Sequence, residues 1–194
     1  TRCVGHSASS PAAAPKRPTR STRRRRRSAC AARASTSPSI LPADAIDAFA
    51  AALATALKEL AQCETYPDAD AVARAAALEA QEVVSATVRL QRDNPWTMTL
   101  VVSVDTALQL AARYLPPDSE LTADIVNDVV GEFANVIAGQ AKTMLKGTPH
   151  HFALSIPTVH RQTGLVEHAL SSTVISVTCA DLDSRTVLLF IGTS

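Results

Sequence analysis

From Leu41 onward the apolar positions fall into two rhythms. In "LPADAIDAFAAALATALKELAQ", Ile46, Phe49, Leu53, Leu57 and Leu60 recur at three- and four-residue spacing, behind Pro42 and Asp44, which predicts an amphipathic helix. An Ala-rich stretch from Asp68 to Ala80, after Pro67, predicts a weaker helix. "EVVSATVRL" then alternates Val84, Ala86, Val88 and Leu90, and "WTMTLVVSV" alternates Trp96, Met98, Leu100, Val102 and Val104. The turn-like "QRDNP" between them predicts an antiparallel hairpin. Asp105 is placed to cap a short helix, "TALQLAARYL", which "PPDS" ends. Asp118 or Ser119 can open a long helix from about Leu121 to Lys146, closed by Gly147 and Pro149. Beyond it "HFALSIPTV", "EHALSSTVISVTCA" and "RTVLLFIG" read as three strands, the last two joined by a turn at "DLDS". The order predicts an α+β fold, a mostly antiparallel sheet packed against two or more helices.

Composition narrows this picture. An apolar fraction of 46% supplies a core, but with 4% aromatics that core must be aliphatic. No apolar run approaches the roughly 20 residues that span a bilayer, so a soluble domain without a membrane span is expected. The four cysteines, Cys3, Cys30, Cys63 and Cys179, are scattered without a C-x-x-C pair. They suit free thiols in a reducing cytosol, and hence a cytoplasmic protein, better than a disulfide framework or a zinc site. His150, His151, His160 and His168 have no regular ligand spacing, so no metal site is expected from them.

Charge divides the chain. Residues 1–40 carry ten basic residues, including the run Arg23 to Arg27, and no acidic one, whereas residues 41–194 carry nine basic and eighteen acidic residues, a net of −9. The reading is a disordered basic tail or linker over 1–40 and a folded acidic domain over 41–194. The tail could bind nucleic acid or an anionic membrane by charge, serve as a targeting segment, or be linker. No aromatic interleaves its arginines to stack on bases, and no nucleic acid is expected on the domain.

The long helix carries the candidate chemistry. At about 100° per residue, Ile125, Val126, Val129, Val130, Phe133, Val136, Ile137 and Met144 fill one broad arc, the expected core face. Gly131, Ala134, Ala138 and Ala141 form a small-residue stripe beside it, suited to a closely approaching backbone. The third arc holds Asp124, Asp128, Glu132, Asn135, Gly139, Lys142 and Lys146. Glu132 and Asn135 therefore stand one turn apart, with Cβ atoms about 5–6 Å from each other, and could touch one object together. By geometry alone an ordinary solvated helix face is the better explanation of the pair.

The surrounding residues add a specific context. "DVVGEFANVIAGQAKTMLKGTPHHFALSIPTV" resembles the signature region of the CheX-type chemotaxis phosphatases, relatives of CheC and FliY. Asp128, Glu132 and Asn135 match that family's D/S-x-x-x-E-x-x-N motif, and Pro157 occupies its later strand position. "TLVVSVDTALQLAARYL" resembles the family's strand and short helix, so the likeness runs over about residues 82–192, more loosely from Leu41, and excludes the tail. One departure is the first hairpin, where "RDNP" stands in place of a glycine-containing turn. A single motif copy favours the CheX-like branch over the CheC-like one.

The resemblance implies hydrolysis of the aspartyl phosphate on a phosphorylated response regulator, a CheY-like receiver. It implies that Glu132 pairs with the regulator's lysine, that Asn135 enters the regulator's site and orients a water, and that Asp128 supports the contact at its rim. The regulator would carry the Mg ion, so no cofactor of this chain is implied. Members of this branch can pair through their sheets, which makes a homodimer an implied assembly. The residue types suit the task. Phosphoryl transfer depends mostly on positioning and charge neutralisation, and an amide can hold water without titrating, where a carboxylate would repel the phosphoryl group. The alternative is a module of the same fold that binds a regulator or joins a flagellar switch without catalysis.

Overall fold

The computed structural model describes residues 41–165, 172–183 and 185–193. The basic segment 1–40, with Cys3 and Cys30, lies outside the described residues, as do His168 and the start of the "EHALSS" run. The elements run α1 (Ala43–Ala61), β1 (Thr65–Pro67), α2 (Ala71–Leu78), β2 (Glu82–Gln91), β3 (Trp96–Ser103), α3 (Val104–Tyr114), α4 (Ala123–Met144), β4 (Ala153–Leu154), β5 (Thr158–Thr163), β6 (Thr173–Cys179) and β7 (Arg185–Thr193). The seven strands form one sheet in the order β1-β6-β7-β3-β2-β4, with β5 also pairing β2, and every pairing is antiparallel. The α+β expectation holds.

Alternation along the strands divides the sheet into two faces. Val84, Ala86, Val88, Met98, Leu100, Val102, Leu189 and Ile191 point to the main core, which α1, α3 and α4 cover. Their neighbours Val83, Val101, Leu188 and Phe190 form a smaller cluster on the opposite face, under Leu78 of α2. α1 contributes Ala45, Ala48, Phe49, Ala52, Leu53, Ala56 and Leu57 at helical spacing, all buried. Phe49 stacks on Phe152 at 5.8 Å, so the aliphatic core has an aromatic seam.

Local chemistry corrects several boundaries. The cap of α3 is Ser103, whose hydroxyl accepts from the Thr106 N–H, with Asp105 inside the first turn. Thr122 caps α4 by accepting from the Ile125 N–H, in place of Asp118 or Ser119. α2 spans Ala71–Leu78, shorter than Asp68–Ala80, and Asp70 caps its start by accepting from the Ala73 N–H. "HFALSIPTV" is two strands with a break, and β1 is an additional three-residue strand on the sheet edge. The predicted hairpin forms, with Leu90 opposite Trp96. Its "RDNP" turn is held by Arg92, which lies 4.1 Å over the Trp96 ring, while His150 stacks on Trp96 at 6.0 Å.

Candidate functional site

α4 packs its inner side on the core and turns its outer side to solvent. Val126, Val129, Val130, Phe133 and Ile137 are buried, as are Gly131, Ala134, Ala138 and Ala141. Three residues assigned to the core arc are not, Val136 being partly buried and two others exposed. Ile125 is 36% exposed and Met144 47% exposed. Both sit in the terminal turns of a 22-residue helix, about 33 Å long. The small-residue stripe does what its composition suggests: a Cβ added to Gly131 would stand 3.1 Å from Val159 Cγ2, so β5 and α4 approach closely there.

Asp128, Glu132 and Asn135 project from the outer side and are all exposed. They line one open groove of about 520 Å³ with Gly131, Leu154, Ser155, Ile156, Pro157 and Val159. Among the described residues none of the three polar side chains makes a hydrogen bond or ion pair. An acid and an amide one turn apart, uncommitted among the described residues, can engage a second molecule.

The opposite wall of the groove is a β-bulge. Leu154 of β4 pairs with Leu90, and Thr158 of β5 pairs with Thr87, so Ser155, Ile156 and Pro157 face only Val88 and Arg89. One extra residue must therefore leave the ladder, and bulges of this kind redirect side chains. Pro157, which has no N–H to give a ladder, is at home there. The bulge is pinned: Ser155 N donates to Arg89 O at 3.0 Å, Arg89 N donates to Ser155 Oγ at 2.9 Å, and Ser155 Oγ donates to Ile156 O at 3.1 Å. Ile156 consequently projects outward at 88% exposure, beside Glu132 and Asn135. Sequence reasoning passed over Ile156; the signal was a proline inside a strand-like run.

Among the described residues no group of three or more His, Cys, Asp or Glu side chains is arranged to hold a metal ion, and no helix is long and apolar enough to cross a membrane. Cys63 and Cys179 are free and buried, side by side. Burial, with the neighbouring Cys63, pushes the Cys179 thiol up to about 12.

A profile of the family described as "Chemotaxis phosphatase CheX" matches residues 84–180, which spans the hairpin, α3, α4 and the bulge. The chain belongs to the CheX family. Solved structures agree on the fold. Chemotaxis protein CheX from Vibrio vulnificus aligns over 80% of this chain and 100% of its own, at 21% identity and a TM-score of 0.62. FliY from Thermotoga maritima aligns over 79% of this chain and 92% of its own, at 16% identity and 0.53. A CheX-CheY-BeF3-Mg complex from Borrelia burgdorferi aligns over 76% of this chain and 96% of the matched one, at 18% identity and 0.54. At these identities the structures speak to fold alone. No curated protein matches the chain.

Proposed function

We propose that this CheX-family protein hydrolyses the aspartyl phosphate of a CheY-like response regulator. The observation that carries the reading is the pairing of Glu132 and Asn135, exposed one turn apart on α4 and uncommitted among the described residues, across a groove from a pinned bulge. A solved relative was captured with CheY, beryllofluoride and Mg, which supports a receiver as partner and the metal as the receiver's own.

The division of labour follows from side-chain chemistry. Glu132 docks the partner by a charge-assisted hydrogen bond to a cation on the receiver. Asn135 enters the receiver's site, accepting from water through its amide oxygen and donating through its nitrogen. Fixing that water in line with an already activated acyl phosphate converts a random encounter into a positioned attack. Asp128, one turn before Glu132, adds negative charge at the rim. We assign the activity to residues 41–194 and to the cytoplasm, where phosphorylated receivers act. A homodimer through the sheet is compatible with this assignment.

Loss of radiolabelled phosphate from the CheY-type receivers of the same genome tests the proposal. The wild type accelerates the loss; Glu132→Ala weakens docking and rate together, whereas Asn135→Ala loses the rate and keeps most of the binding. Binding without acceleration by the wild type would replace the enzyme with a docking module of the same fold.

A further inference from the structure

Asn135 stands between two positions that lack side chains, Gly131 one turn before it and Gly139 one turn after. The two glycines have different status. Gly131 has a packing reason within the chain, since a Cβ there would press on Val159 Cγ2 at 3.1 Å. Gly139 is not: a Cβ built on it meets nothing within 4 Å, and its backbone is not in the left-handed region that favours glycine. Its carbonyl accepts from Thr143 Oγ1 at 3.0 Å, a bond any residue could offer. A glycine in the middle of a helix weakens it relative to alanine, and no described contact of this chain gives a reason for that loss.

We propose that Gly139 is a positioning residue, the gap that lets a receiver's surface close against α4 so that Asn135 reaches the phosphoryl group. The inference rests on the function proposed above. Residues four apart on a helix are direct neighbours. Asparagine is short, so a methyl group at 139 would already crowd the partner beside it, and a side chain of equal or greater length would meet the partner before Asn135 could enter a recess. The other neighbours of Asn135 do not obstruct: Ala138 is buried, Gly131 is filled by β5, and Glu132 is itself a docking group. The bare surface at 139 thus leaves the turn directly after Asn135 open to the partner.

The test uses Gly139→Ala and Gly139→Leu in the full chain, with Asn135→Ala alongside. Three quantities are read: the unfolding midpoint, binding to a CheY-type receiver loaded with beryllofluoride and Mg, and kcat and KM for hydrolysis. Because the site has room, Gly139→Ala should raise the midpoint by about 1–4 °C. A displacement of about 1 Å is enough to lower rates on the order of 100-fold, so kcat/KM should fall roughly tenfold for alanine and on the order of 100-fold for leucine, with weaker binding of the loaded receiver in step. Stability that rises while docking falls is a signature that a purely structural role would not give. Gly139→Leu that binds and hydrolyses as the wild type does would overturn the inference while Asn135→Ala remains inactive. If Asn135→Ala hydrolyses as fast as the wild type, or the wild type neither binds nor hydrolyses, the functional reading fails and this inference fails with it.

Discussion

At the β1 end of the sheet, Arg113 of α3 donates to the carbonyl oxygen of Asp181 at 2.6 Å and of Ala61 at 3.5 Å, and its guanidinium lies 3.7 Å from Cys63 Sγ. Asp181 in turn accepts from the Glu64 N–H at 3.0 Å. Nearby, Asp68 accepts from the Asp70 N–H, from Arg74 and from Thr178, and these partners, the Asp70 N–H foremost, hold its carboxyl below the usual range. At the β4–β5 end, by contrast, Asp128, Glu132 and Asn135 make no hydrogen bond or ion pair among the described residues. Polar side chains spent on internal bonds are part of the fold, and those left over beside a rigid groove are available to a partner. Charge type does not separate the two ends; commitment does.

Substitutions at the two ends should therefore separate function from stability. Ile156→Asp places a charge on the exposed bulge and should weaken receiver docking about 30-fold or more, the scale of an interface hot spot, while the unfolding midpoint stays put. A parallel fall in the midpoint would mean that Ile156 supports the fold. Arg113→Met keeps the apolar stem but strands the Asp181 and Ala61 carbonyls, and should lower unfolding stability in urea by about 1–2 kcal/mol with hydrolysis by the folded fraction retained. An equal loss of kcat would join the two ends into one functional unit. Gly131→Ala presses on Val159 and should destabilise by about 1 kcal/mol, the opposite sign to Gly139→Ala. Matching signs would erase the distinction between the glycines.

The smallest effect near neutrality concerns the thiols. Burial, with Cys63 beside it, raises Cys179 from an ordinary 9.0 to about 12. The folded state therefore favours the protonated thiol, and the associated stability is complete below about pH 9 and declines as pH rises toward 12. Urea unfolding across that window should show the decline, and Cys179→Ala should flatten it. Neither Cys63 nor Cys179 should react with iodoacetamide in the folded protein at pH 7.5, since the thiolate is the reactive form.

Much of this was legible in the chain. The three-faced reading of α4 put Asp128, Glu132 and Asn135 on one outward arc from spacing alone, because helical periodicity is a local property. What escaped is non-local. Arg113 meets Asp181 across 68 positions of sequence, and nothing near either residue announces the other. The bulge at Ser155–Pro157 depends on the register of two strands with β2, which only the assembled sheet fixes. Ile125 and Met144 show the limit of a helical wheel, which assigns a face but not how far the core extends along the axis. Cap choice failed for a similar reason: several candidates crowd "PPDSELT", and the backbone at Thr122 decides.

The central claim is that Asn135 holds the attacking water while the rest of α4 holds the partner. Its most direct test is a single-turnover measurement of acyl-phosphate loss from a receiver, with the protein in saturating excess and occupancy checked by binding. Wild type and Asn135→Ala, compared at equal occupancy, should differ by about 100-fold or more, the scale of removing one positioned hydrogen-bonding group. Equal rates at equal occupancy would contradict the account and leave α4 a docking surface without chemistry of its own.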